Sequence, residues 1–128
     1  MTAVLVAHDG GRWLPRALAA LTASRRRPEV VVGVDTGSTD DSAELLESSD
    51  AVDEVVVAQR GTTFGAAVAA GLAAAGESVI DLRDSRSSSS ETVDWVWLLH
   101  DDCAVRPDTL EQLLAQADRM PSAGVVGP

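Results

Sequence analysis

The chain contains no lysine: all ten of its basic residues are arginine, set against twenty acidic ones, for a net charge of −10. That absence excludes a Walker A loop, whose lysine reaches the nucleotide phosphates, and it removes the late strand-end lysine that a phospho-accepting receiver domain uses. The acid excess argues against nucleic acid and anionic lipid as partners, because a surface of that sign repels both unless its few cations are clustered. The one cluster, Arg25–Arg27, falls where a helix is expected to end, close to the negative end of its dipole. Cysteine is almost absent as well. Cys103 stands alone, so it can form no internal disulfide and has no second thiol for a zinc site; a buried, inert thiol in a reducing compartment is expected. No stretch approaches the run of about 20 apolar residues that a membrane span requires. Ala3–Ala7 follows Met1 without a basic leader or cleavage pattern, so the expected location is cytoplasmic. The pattern Gly-X-Gly-X-X-Gly is also missing after the first apolar run, where "HDGGRW" stands, and a dinucleotide-binding unit is thereby excluded.

What is present reads as one domain, 1–128. With 45% hydrophobic residues the chain can bury a core. Val-rich runs at Ala3–Ala7, Val30–Val34, Glu54–Ala58 and Asp94–Leu99 predict strands. Between them, Leu14, Ala17, Leu18 and Leu21 follow a helical spacing, and Pro15 is tolerable because it lies in the first turn. Ser38–Asp41 has a capping-box-like spacing ahead of a helix over Ala43–Leu46. Further helices are expected over Ala66–Ala75 and through Leu110, Leu113, Leu114 and Ala117, and "AGVVGP" reads as the start of another strand. Nearly continuous apolar strands alternating with helices argue for an α/β fold, a mostly parallel sheet covered on both faces. The Ser-rich stretch 81–94 has little to bury and is expected to be a flexible surface insertion.

Three strand ends carry polar chemistry: His8-Asp9, Asp35-Thr36-Gly37 and His100-Asp101-Asp102. In open parallel sheets ligands bind beyond the carboxyl ends of strands, so these segments form the candidate site. A hard divalent cation takes oxygen ligands, commonly one or two carboxylates with phosphate and water, and offsets charge on a departing diphosphate. "WVWLLHDDC" places adjacent carboxylates at the end of a buried strand, where such a cation could sit.

"VDTGSTDDS" resembles the V-D-D-G-S-T-D segment of family 2 glycosyltransferases, and "LLHDDC" resembles their Asp-X-Asp segment. "LVAHDGGRWLPRAL" and "QRGTTFGAAVAAGL" are similar to the family's opening strand and helix and to its N-x-G-x-x-x-A-R-N-x-G stretch, in the family's order. The resemblance implies a Rossmann-like GT-A fold, incomplete at the C-terminus, and transfer of a sugar from a nucleotide diphosphate sugar to an acceptor glycan or lipid-linked glycan in cell wall or polysaccharide biosynthesis. It implies Mn²⁺ or Mg²⁺ held by Asp102, with His100 standing where the first Asp of Asp-X-Asp is expected. His8, Asp9, Asp35 and Asp101 are then the candidate nucleotide-binding residues. Thr36, Ala67 and Val68 depart from the family pattern. No lysine-bearing or Gly-rich basic loop supports the rival reading of a sugar-nucleotide pyrophosphorylase. In the family the general base that deprotonates the acceptor lies well beyond the metal segment, and no residue here is assigned that role. The chain is therefore expected to supply the donor-binding half, with a noncatalytic nucleotide-sugar binding or assembly module as the alternative. Further C-terminal segments would bring membrane association, and self-association is expected through an exposed sheet edge beside the fourth strand.

Overall fold

A computed structural model describes residues 1–83 and 95–127. The four apolar runs become strands β1 (Thr2–Ala7), β2 (Val30–Asp35), β3 (Glu54–Val57) and β4 (Val96–His100), all parallel, in the order β3-β2-β1-β4. Four helices separate or follow them: α1 (Leu14–Thr22), α2 (Ser42–Glu47), α3 (Phe64–Arg83) and α4 (Thr109–Arg119). β1 and β2 are apolar along almost their whole length because both of their faces are covered. On one face Ala3, Leu5, Ala7, Trp97 and Leu99 pack with Leu14, Leu18 and Leu21 of α1 and Leu110 of α4. On the other, Val4, Val6, Val30, Val32 and Val34 pack with Ala67 and Ala75 of α3. The buried positions of α1 are those that the sequence spacing predicts, Leu14, Ala17, Leu18 and Leu21.

β4 lies at one edge of the sheet, and its two faces differ. Trp97 and Leu99 enter the core beside α1, whereas Val96, Leu98 and His100 fall in register with Thr2, Val4 and Val6 on the α3 side. Helix α3 packs mainly on β1, β2 and β3 and meets β4 through Phe64 at its first turn, leaving Leu98 50% exposed. No described helix is long and apolar enough to cross a membrane.

Several local expectations change. α3 is longer than the spacing predicts, so residues 81–83 of the expected insertion are helical, while 84–94 lie outside the described residues. "AGVVG" forms no strand: Val125 is 89% exposed and no described strand pairs with it. α2 begins at Ser42 after Asp41, which makes no side-chain cap, because the polar side chains ahead of it bond to another loop. Arg25–Arg27 lie past α1, whose last turn carries no basic residue; the Arg25 N–H instead donates to the Pro107 carbonyl at 2.8 Å. Cys103 is exposed in the turn after β4, with Sγ 3.8 Å from Asp102 Oδ1.

Candidate functional site

The loops after β1, β2, β3 and β4 meet at the C-terminal edge of the sheet. Four consecutive backbone N–H groups leave β1, and each is taken by a side chain from elsewhere. His8 N–H donates to Asp101 Oδ2 (2.8 Å), Asp9 N–H to Ser38 Oγ (2.9 Å), Gly10 N–H to Ser42 Oγ (2.9 Å) and Gly11 N–H to Asp40 Oδ2 (2.8 Å). This run of donors would otherwise form an anion-binding nest. Here it binds the protein's own side chains, so a diphosphate would have to meet its positive charge elsewhere. The Asp40 carboxylate also accepts the Ser42 hydroxyl and N–H, and these bonds together with that from Gly11 hold its pKa below the ordinary carboxylate value. The approach of β4 is close: a Cβ at Gly10 would lie 2.3 Å from Asp101 Oδ2.

Asp35 ends β2 almost wholly buried. Its Oδ2 accepts the N–H groups of Gly37 and Ser38, both at 3.0 Å, and its Oδ1 is sealed from solvent without a hydrogen-bond partner among the described residues. Asp35 as placed shapes the turn from beneath. Beside it, the Thr36 hydroxyl donates to the Ala7 carbonyl (3.0 Å) and has one proton to give, so the 2.9 Å contact with His8 Nδ1 requires the ring to donate there. In the neutral ring, Nε2 is then the acceptor; it lies 3.7 Å from Asp9 Oδ2 on the half-exposed side of the imidazole.

Asp9 occupies the left-handed region at φ 48°, a conformation that Asp tolerates better than most residues. It accepts the N–H and hydroxyl of Thr39 at 2.7 and 3.1 Å and pairs with Arg60 at 2.8 Å. Arg60 also donates to the Gly37 carbonyl at 2.9 Å, so one guanidinium from the β3–α3 connection ties together the loops after β1 and β2. The hydrogen bond from Arg60, followed by that from the Thr39 backbone, holds the Asp9 carboxyl well below its ordinary value of 3.8, and the same pairing raises Arg60. A depressed carboxyl adds stability that is fully present above its unfolded pKa and is lost as pH falls through the folded one. The Asp9 contribution therefore persists below the pH at which an ordinary carboxylate protonates. Arg60→Ala should shift acid unfolding to higher pH, checked by circular dichroism from pH 7 downward; an unchanged acid limb would show that the tie contributes nothing.

At the end of β4 the three polar residues part. Asp101 is 3% exposed and reaches back under the β1 loop, whereas Asp102 is 63% exposed at its side chain. His100 Nδ1 lies 2.8 Å from Asp101 Oδ1 and 3.3 Å from Asp102 Oδ1, and its ring stacks on Phe64 with centroids 6.0 Å apart. One ligand atom from each of His100, Asp101 and Asp102 can be chosen so that all lie within 4.8 Å of one another. An imidazole nitrogen with carboxylate oxygens suits Mn²⁺, which accepts both donor types, and the two carboxylates also suit Mg²⁺.

The arrangement has counterparts. The sequence profile described as Glycosyl transferase family 2 matches residues 2–128. The chain belongs to glycosyltransferase family 2. It is 30% identical over 125 residues to N-acetylglucosaminyl-diphospho-decaprenol L-rhamnosyltransferase of Mycobacterium tuberculosis, found alike in strains CDC 1551 / Oshkosh and ATCC 25618 / H37Rv. The match covers 98% of this chain and 39% of the relative's length. Among solved structures, S. aureus TarS 1-349 in complex with UDP superposes with a TM-score of 0.62 at 19% identity, over 99% of this chain and 38% of that one. The same protein in complex with UDP-GlcNAc gives 0.61 at 17% identity, over 99% and 36%. The all-parallel sheet with helices on both faces is thus the Rossmann-like core of the GT-A fold, as the family resemblance implies.

The sequence-predicted residues His8, Asp9, Asp35, His100, Asp101 and Asp102 all come to this one edge, in two groups. His8, Asp9, His100 and Asp102 present side chains outward, whereas Asp35 and Asp101 are buried supports. Arg60, Phe64, Asp40 and Ser42 are not among the candidates that the sequence singles out. Phe64 is the chain's single phenylalanine, just inside the "RGTTFG" turn, which was its available signal. The polar side chains of "STDDS" gave no such signal, since a capping role explained them equally well. Ala67, at one of the departures from the family pattern, is fully buried against the sheet.

Proposed function

We propose that this chain forms the donor-binding half of a metal-dependent glycosyltransferase, taking a nucleotide diphosphate sugar whose glycosyl group passes to a hydroxyl of a glycan or lipid-linked glycan. The observation that carries this reading is the His100–Asp101–Asp102 cluster, set beside a strand-end loop whose own N–H donors are already occupied. A diphosphate approaching so acidic an edge needs a cation there. Mn²⁺ or Mg²⁺, when bound, would offset the charge that develops on the leaving diphosphate.

In this reading His100 and Asp102 hold the metal. Asp101 orients His100 and braces the β1 loop through the His8 N–H. His8 faces the nucleoside and offers Nε2 as acceptor to a base or ribose donor. Asp9 stays ionised through Arg60 and accepts a hydroxyl or N–H of the nucleoside, while Asp35 acts by holding the turn against which that nucleoside rests. The likeness to the mycobacterial enzyme, named for adding L-rhamnose to a lipid diphosphate-linked N-acetylglucosamine, supports an acceptor of that kind and a role in cell wall or polysaccharide synthesis. The chain covers 39% of that relative, and we place the base that deprotonates the acceptor outside these 128 residues.

The test is thermal unfolding with UDP, GDP and dTDP, each with and without Mn²⁺. One nucleotide at about 100 times its dissociation constant should add about 2.7 kcal/mol, in the presence of metal only. No stabilisation by any of the three would remove the reading. The chain alone should bind without transferring sugar, and sustained turnover in a donor-consumption assay would show that the base lies within it.

The edge of β4 bears on handling of the isolated chain. Its exposed Val96 and Leu98 present an apolar row at an edge that no described strand pairs with, and we place self-association there. Sedimentation should show concentration-dependent association that Leu98→Lys abolishes; a monomer across the concentration range would refute it.

A further inference from the structure

A second recess opens on the other flank of Asp102. It is a cavity of about 340 Å³ lined by Trp13, Arg16, Asp102 and Ala104, between the start of α1 and the turn after β4. Its size falls within the range of about 300–1,000 Å³ usual for small-molecule sites. His100 and Phe64 stand on the α3 side of the strand ends, whereas this cavity lies on the α1 side, and Asp102 is the residue shared between them.

Packing does not explain Trp13. It is 49% exposed in a chain whose aromatic residues are three tryptophans and one phenylalanine, and the guanidinium of Arg12 sits 4.6 Å from the ring centroid in a cation–π contact. A half-exposed indole presents a flat apolar surface of the kind that the C–H face of a sugar ring covers. Arg16 adds a cation with a planar fork suited to phosphate, on a wall of the same cavity. Ring platform and guanidinium together select a sugar that carries a phosphate.

We propose that the Trp13–Arg16 cavity is a glycosyl-phosphate subsite and that it receives the acceptor. The assignment rests on the donor reading above and extends it by geometry. In an in-line displacement the attacking hydroxyl approaches the anomeric carbon from the side opposite the leaving diphosphate. A diphosphate held from the His100 flank therefore places the acceptor on another flank, and the Trp13–Arg16 cavity is the described recess that opens there on Asp102. The ring of the acceptor sugar lies on Trp13, its phosphate meets Arg16, and its nucleophilic hydroxyl points out of the cavity toward the anomeric carbon of the donor.

The experiment follows the indole N–H signals of the full 128-residue chain by ¹⁵N NMR, with Trp13 assigned through Trp13→Phe. The probes are glucose 1-phosphate, glucose, inorganic phosphate, UDP with Mg²⁺, and UDP-glucose with Mg²⁺. Glucose 1-phosphate should shift the Trp13 signal, and Arg16→Gln should weaken that response by about tenfold. Glucose or phosphate alone should need higher concentrations, and UDP with Mg²⁺ should not compete with glucose 1-phosphate. An unmoved Trp13 signal, or an equal response in Arg16→Gln, overturns the proposal. A Trp13 response to UDP-glucose but not to glucose 1-phosphate also overturns it, because the cavity would then hold the donor sugar. Metal-dependent UDP stabilisation with a silent Trp13 refutes the cavity and leaves the donor reading standing. A Trp13 response without nucleotide binding supports the subsite and removes the donor reading.

Discussion

Asp102→Ala should abolish the metal-dependent part of nucleotide stabilisation while leaving the unliganded unfolding midpoint nearly unchanged. Both halves of that expectation come from one geometry. The Asp102 side chain is largely in solvent, where it meets the half-exposed His100 ring, 3.3 Å away, and the exposed Cys103. Removing such a carboxylate sacrifices no buried contact, so its effect on the empty protein should stay within about 0.5 kcal/mol. With metal and nucleotide the same carboxylate becomes one of few anionic ligands, and its loss should remove most of the roughly 2.7 kcal/mol expected at 100 times the dissociation constant. Asp102→Asn separates charge from shape, and it should fail nearly as completely because an amide is a poor ligand for a hard cation. Calorimetric titration of UDP with and without Mn²⁺ reads the outcome. Equal affinity in wild type and both variants would show that the metal, if bound, does not use Asp102.

Gly37→Ala should cost the fold about 2–4 kcal/mol, the largest effect on stability anticipated for a single methyl group at this site. Two penalties add. Gly37 has φ +74°, in the left-handed region that disfavours a Cβ, and the new methyl would lie 2.5 Å from the backbone nitrogen of Arg60 and 2.7 Å from its Cα. Backbone cannot rotate aside as a side-chain tip can, so the loop after β2 must move away from the connection to α3. That movement pulls at the bond from Arg60 to the Gly37 carbonyl and, through the same guanidinium, at Asp9. A urea denaturation midpoint lowered without a change of slope is the expected signature. A midpoint within experimental error of wild type would mean that the two loops part freely and that Arg60 does not hold them.

The fold was open to sequence reading because β1 and β2 are buried on both faces and the helices between carry plain periodic signals, as at Leu14, Leu18 and Leu21. The polar strand ends were legible for the same reason: Asp35 and Asp101 interrupt or end runs that are otherwise apolar. What the sequence concealed was direction and partnership. That Asp101 turns inward to His8, 93 residues away, while Asp102 turns out is a consequence of tertiary packing that adjacent letters cannot express. The capping box expected at Ser38–Asp41 does not form because Ser38 and Asp40 accept from a loop some thirty residues earlier, Asp40 keeping a local bond from the Ser42 N–H as well. The closing "AGVVG" has the composition of a strand, but composition supplies no neighbour with which to pair, and the described chain offers none.

The strand order has a bearing on when this edge comes into being. β1 is the first strand, yet it pairs on one side with β2 and on the other with β4, and Thr2 waits for Val96 as its register partner. As the chain leaves the ribosome, β1 to β3 and their helices can assemble early, with one side of β1 still bare. Until β4 docks, the His8 N–H lacks its carboxylate, Leu14 and Leu18 lack the indole of Trp97, and no acidic cluster stands at the edge. Long-range parallel pairing of this kind is slow to close. Docking of β4 therefore completes the acidic cluster and the α1 side of the core in one step, so that ligand binding at this edge would report on that step rather than on any earlier one.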